Sequence, residues 1–228
     1  MSRIHVIQQA ARTLAGISLA LTIAWAWPQS EKFRDTFPVN RTNFTDTGRN
    51  TYFILEPGHR LLLGDGSDRL TITVLGETKV VDGVKTRVVE ERETKDGKLI
   101  EVSRNYFAIE KGTNDVYYFG EDVDMYKDGK VVSHEGAWLS GVNGARFGLF
   151  MPHQPKVGDR FYQEFAPKVA MDRAEIVSLS EAVRVPAGAF QNCLRTKESS
   201  GMEMGSESKW YAPGVGLIKD GEFALLEH

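Results

Sequence analysis

One cysteine, Cys193, stands in 228 residues, so no internal disulfide can form and the fold rests on its own core even in an oxidising compartment. Within Ala189-Phe-Gln-Asn-Cys-Leu-Arg195, a lone thiol reads as a small core side chain rather than a nucleophile. Histidine is also sparse. His5 and His228 lie near the termini, and His59, His134 and His153 are too widely separated to show metal-ligand spacing. His134-Glu135 lacks the second histidine, four residues on, that a helical zinc-protease motif needs. Positive charge is not in excess either. The formal net charge is -3, and basic residues alternate with acids in stretches such as 90–95, which excludes the basic stripe of a nucleic-acid partner. Helical periodicity is missing as well: residues 166–180 come closest, and 173–179 sits equally well in a strand. There is no Gly-x-Ser-x-Gly, no glycine-rich phosphate loop and no dinucleotide fingerprint. These absences give no enzyme class positive support and imply no cofactor.

The chain opens differently from the way it continues. Arg3 and Arg12 precede the apolar run 14–25, and Ala24-Trp25-Ala26 supplies small residues at the cleavage-determining positions, the pattern of a secretory signal peptide over residues 1–26. The run is shorter than the roughly 20 residues of a spanning helix, so the expectation is cleavage near Ala26 and no stable membrane span afterwards. Cys193 is too distant to be a lipid-acceptor cysteine. The expected location is periplasmic or secreted. Loss of Arg3 and Arg12 moves the net charge from -3 to -5. Residues 27–48, polar with Pro28 and Pro38, read as an extended N-terminal arm, and 49–228 as a single β-rich domain.

What that domain has in quantity is glycine at turns. Asp82-Gly83, Asp96-Gly97, Lys111-Gly112 and Asp128-Gly129 separate β-rich runs at 69–80, 84–94, 98–109, 116–126 and 130–138. Asp-Gly tolerates positive φ at both turn positions, so consecutive runs are antiparallel neighbours. Further strands are expected at 51–55, 60–63, 159–165, 173–179, 182–185, 192–199, 208–211, 216–219 and 223–226. Strands this long, joined by tight turns, predict an all-β fold: a long antiparallel meander forming a strongly curved sheet, half-barrel or barrel. Residues 140–157 break the pattern with glycines and prolines around the apolar cluster Phe147-Gly-Leu-Phe-Met151, which either caps an open barrel end or tucks into the core.

Alternation along a meander gives one face to a cavity and the other to solvent. The large side chains available to line a ligand site are Tyr106, Tyr117, Phe119, Trp138, Phe147, Phe150, Phe161 and Trp210; the same rings would fill the interior completely if the barrel is packed. Acids cluster at Glu121-Asp-Val-Asp124. The run from Asp124 to Glu135 matches a calcium loop at Asp124, Asp128, Gly129 and Glu135, but Tyr126 occupies the third position and strands replace the flanking helices. A solvated acidic edge accounts for it without a metal.

Five stretches carry a resemblance: Tyr117-Tyr-Phe-Gly-Glu-Asp-Val123, Glu135-Gly-Ala-Trp-Leu139, Met151-Pro152 with Val157-Gly-Asp159, Val185-Pro-Ala-Gly-Ala-Phe190, and Trp210-Tyr-Ala-Pro-Gly-Val-Gly-Leu217. Together they resemble a group of uncharacterised exported bacterial proteins. The last two look like the closing strands of half-barrel envelope proteins distantly similar to lipoprotein carriers. The resemblance implies a curved antiparallel sheet whose apolar concave face holds a lipid or another hydrophobic ligand; it does not imply an enzyme. The expectation is therefore an exported binding protein for a small hydrophobic or amphipathic ligand. Two alternatives stand beside it: an envelope scaffold with a packed core, and a barrel hydrolase or isomerase using inward groups among Glu101, Arg104, Glu121, Tyr162 and Glu164.

Overall fold

Asp82, Asp96 and Asp128 hold φ at 50°, 49° and 52°, and the glycines after them at 78°, 73° and 74°. Two successive positive-φ residues make the hairpin turn whose twist matches its strands. The fourth turn is built otherwise. Gly112 is outside the left-handed region, and Asn114, at φ 62°, supplies the reversal in a longer connection. The computed structural model describes residues 32–202 and 204–228; the signal segment expected at 1–26 lies outside them.

The strands in chain order are β1 (Phe44–Thr45), β2 (Gly48–Arg49), β3 (Ile54–Leu55), β4 (Arg60–Asp65), β5 (Asp68–Val81), β6 (Val84–Lys95), β7 (Lys98–Glu110), β8 (Val116–Lys127) and β9 (Lys130–Ser133). They continue as β10 (Trp138–Leu139), β11 (Arg146–Met151), β12 (Arg160–Tyr162), β13 (Glu164–Phe165), β14 (Asp172–Val185), β15 (Gly188–Ser200), β16 (Glu207–Ala212), β17 (Gly216–Asp220) and β18 (Phe223–Glu227). One 16-stranded antiparallel sheet runs β12-β14-β15-β16-β17-β18-β4-β5-β6-β7-β8-β11-β13, with β1, β9 and β10 added alongside and β2-β3 as a separate pair. Its two ends, β12 and β13, are one stretch of chain interrupted at Gln163. Residues 160–162 pair with β14, and 164–165 pair with β11. The sheet is therefore nearly closed into a barrel through a single broken strand. Gln163 is buried at the break, and its Nε2 donates towards Phe150 O and Glu198 Oε1 at 3.5 and 3.4 Å.

Within 140–157, where glycines and prolines break the expected strand pattern, Phe147 to Met151 nonetheless lies in β11, hydrogen-bonded to β8. Gly148 is required there, since a Cβ would fall on the carbonyl oxygen of Gln163 at the seam.

Residues 48–59 cross one end of the barrel and form its floor. Asn50 Nδ2 donates to Asn114 O at 3.0 Å, the Gly214 N–H donates to Thr51 O at 2.8 Å, and Tyr52 OH donates to Asn192 O at 3.3 Å. These partners lie in the β7–β8 and β16–β17 connections and on β15, so the segment spans the opening. Phe53 packs on Phe107 and Phe150, with Leu55 fully buried beneath the sheet. Residues 34–45 are also tied down, by the bridge of Arg34 to Phe161 and by β1 on β7.

Candidate functional site

Cross-strand pairing sorts the side chains of the long strands. Val89, Glu91 and Glu93 of β6 face Asn105, Ser103 and Glu101 of β7, and Asn105 and Ser103 face Glu121 and Val123 of β8. On the other arc, Asp172, Ala174 and Ile176 face Ser200, Glu198 and Thr196; Thr196 and Glu198 face Lys209 and Glu207; Lys209 faces Asp220. The two arcs belong to one sheet whose two ends meet at residues 160–165, so these side chains look into one space. This interior is the candidate site.

A bulge assembles part of it. Residues three apart on a regular strand point to opposite faces, yet Tyr118 opposite Phe107 and Glu121 opposite Asn105 share the inner face. The register shifts between them at Phe119-Gly120, where Gly120 has φ 128° and a Cβ would strike the carbonyl of Trp138.

Along the barrel axis the lining changes character. Towards the floor it is apolar: Val74, Val89, Phe107, Tyr118, Leu63, Leu194, Ile218 and Leu225 are buried. Towards the end carrying the turns at Gly66, Gly97, Gly129 and Gly221 it is acidic. The carboxylates there keep some solvent contact, with side-chain exposures of 12% for Glu198, 21% for Asp220 and 24% for Glu207, and Lys209 keeps 22%. This end of the interior keeps partial solvent contact.

Its polar groups are ordered. Glu198 Oε1 accepts from Thr196 Oγ1 at 3.0 Å, Tyr211 OH at 3.3 Å and Gln163 Nε2. Lys209 Nζ lies 3.3 Å from Glu198 Oε2, 3.3 Å from Asp220 Oδ2 and 3.8 Å from Glu207 Oε1. Burial disfavours its ammonium, but the fields of Asp220 and Glu198 outweigh that and hold its pKa well above the ordinary lysine value. Opposite, the carboxyls lack such a partner. Burial, with Glu101 and other acids nearby, pushes Glu91 up to about 7 and Glu121 up to about 8. Burial and the neighbouring Glu121 and Asp172 raise Glu164 well above the carboxylate range. Tyr118, which donates to Asn105 Oδ1 at 2.5 Å, is raised by burial and by the fields of Glu121 and Glu164.

The aromatic residues singled out in the sequence divide between the two faces. Trp138, opposite Glu121 and edge-on to Tyr118, is inside; so are Phe150, against Phe107, and Phe161, opposite Ala174. Tyr117, Phe119 and Phe147 form one outer stack beneath Phe37 and Phe44 of the N-terminal segment. Tyr106 is outside as well, bonded to Asp122 and covered by Lys79, whose Nζ is 4.4 Å from the ring centre. Trp210 faces out under Lys219. The lining that composition did not single out is the ring of acids with Lys209. Its signal was the strict alternation Glu91, Glu93 and Glu207, Lys209, which only strand pairing turns into a surface. The acidic run 121–124 is split: Glu121 turns inward, while Asp124 pairs outside with Arg104 Nη1 at 3.1 Å and His134 Nδ1 at 3.0 Å.

No family model matches the chain, and no curated protein does. Two solved structures are similar in fold. One is a candidate lipoprotein from Parabacteroides distasonis ATCC 8503, with TM-score 0.38 and 11% identity over 79% of this chain and 99% of that one. The other is a candidate exported protein with YmcC-like fold from Bacteroides fragilis NCTC 9343, with TM-score 0.37 and 16% identity over 78% and 99%. The likeness is one of fold alone. Among the described residues no helix is long and apolar enough to cross a membrane.

Proposed function

We propose that this chain is an exported, non-catalytic binding protein that holds an amphipathic ligand in its barrel. The ligand's cationic end sits among Glu91, Glu121, Glu198 and Asp220, and its apolar body lies against Val74, Val89, Phe107 and Phe150. The observation that carries the reading is the partly solvent-exposed acidic half of the barrel interior above an apolar, floored half. Carboxyls held near neutral pKa by burial gain most from a cation brought between them. Binding therefore strengthens as pH rises through 7 to 8, releasing protons from Glu91 and Glu121.

Native mass spectrometry of protein purified from its host without refolding, followed by denaturing extraction, tests this directly. An amine-bearing amphipath is the expected passenger. Titration with dodecylamine is expected to change the emission of Trp138, which sits beside Glu121, with dodecyl maltoside binding more weakly. A clean apo mass together with unchanged emission over both probes overturns the reading in favour of a scaffold. A second reading, general acid–base catalysis, is favoured by Glu121 and Glu164, two carboxyls both raised, chiefly by burial, with the field of Glu121 adding to the shift of Glu164. It predicts a passenger that is chemically altered on incubation, and an altered product lost in Glu164→Gln.

A further inference from the structure

The floor end of the barrel carries a second concavity on its outer rim, a cleft of about 810 Å³ lined by Arg34, the turn 111–115, residues 152–154 and 156, and Asp159 to Phe161. That volume is within the range of small-molecule sites. Its walls are three separate segments locked to one another. The Arg34 N–H donates to Arg160 O at 3.0 Å, and the Tyr162 N–H donates back to Arg34 O at 2.9 Å. The His153 N–H donates to Asp115 Oδ1 at 2.8 Å, and the Lys156 N–H donates to Asp159 Oδ2 at 2.8 Å. The two acids of the cleft are thus engaged in holding its loops. Arg160 is paired with Glu175 at 2.9 Å. Arg34, Lys111 and Lys156 have no carboxylate partner among the described residues, and the Arg34 guanidinium is set over the Phe37 ring at 4.9 Å. His153 Nδ1, also in the lining, is enclosed without a hydrogen-bond partner.

We infer that this cleft binds a phosphate-bearing molecule, with the guanidinium fork of Arg34 and the ammonium groups of Lys111 and Lys156 on the phosphate oxygens. A stacked arginine with two lysines is the donor set that suits a compact, multiply charged anion. The net charge of the whole chain is -3, so its general field repels anions and retention has to come from the local set. The site is remote from Glu91 and Glu121, and its fate is independent of what the lumen holds.

The phosphate could be that of a soluble metabolite or of a lipid headgroup, and two probes separate them. Calorimetric titration at low ionic strength uses inorganic phosphate and glycerol 3-phosphate; vesicle flotation uses phosphatidylglycerol. Binding to at least one probe is expected, weakening as salt rises, and falling about tenfold in Lys111→Glu/Lys156→Glu and several-fold in Arg34→Gln. Glycerol 3-phosphate binding without flotation assigns a soluble ligand, and flotation without soluble binding assigns a headgroup. All these side chains are exposed, and unchanged melting of each variant verifies the fold; should the charge reversal misfold, Lys111→Gln/Lys156→Gln carries the same comparison. Absence of binding to all three probes at millimolar concentration overturns the inference, and so does binding that the variants leave unchanged. Glu121→Gln leaves phosphate binding intact, which keeps this outcome separate from that of the lumen.

Discussion

Glu91 and Glu121 carry protons in the folded chain at pH values where an unfolded chain has released them. A carboxyl whose folded pKa is raised stabilises the fold below its unfolded value near 4.5, and that contribution is lost as pH rises through the folded pKa. The window here runs from about 4.5 to about 7 for Glu91 and to about 8 for Glu121. Thermal melts between pH 5 and 8.5 should show a falling Tm, with Glu91 alone contributing on the order of 3 kcal/mol as an upper bound, because that end of the interior keeps partial solvent contact. Glu91→Gln and Glu121→Gln should each flatten that slope. Lys209 has the opposite role. Lys209→Met leaves Glu198, Glu207 and Asp220 facing one another, and a loss of about 3 kcal/mol is expected in chemical denaturation, largest at high pH. Gly120→Ala combines a forced positive φ with a clash on Trp138; about 3 kcal/mol or more should be lost, together with the inward placement of Glu121. None of these residues could be given a face from sequence. Alternation orders a strand's side chains into two sets without saying which is inside, and a bulge exchanges the sets midway, as it does between Tyr118 and Glu121.

Elements were more legible than faces. Asp-Gly turns carry their own geometry, so β5 to β8 follow the expected runs to within a residue or two at each end. Hidden elements were those whose pairing changes partner along the strand. The single run expected at 159–165 is β12 and β13, divided at Gln163 because its halves bond to different neighbours, and the run at 130–138 separates into β9 and β10. Two runs expected at 173–179 and 182–185 instead form one strand, β14, bent by register shifts. The N-terminal segment shows what polarity hides. Its composition reads as an arm, yet Phe37 and Phe44 are buried on Tyr117 and Phe119. Phe44→Ala should cost about 3 to 5 kcal/mol, and ANS fluorescence should rise as the outer stack of Tyr117, Phe119 and Phe147 is uncovered.

At the scale of the molecule, a polarity runs along the barrel axis: floor and phosphate cleft at one end, acidic lumen at the other. The meander was readable because each hairpin is local. Closure was not, since it depends on β4 meeting β18 and on Gln163 bridging two sheet ends, contacts between residues remote in the chain. That same closure sets a timescale. β18 at residues 223–227 has to find β4 at 60–65 before the ring can shut, and the entropy of closing so long a segment is lost before the pairing returns it. Hairpins β5 to β8 can form early, each around its own turn, while ring closure waits on the pairing of β18 with β4. Refolding from denaturant should therefore be slow, on the order of milliseconds to seconds or longer, and once the ring is shut its opening should be slow as well. A chain lacking β18 would be left with β4 and β17 as unpaired edges, the surfaces by which barrels that fail to close find one another and aggregate.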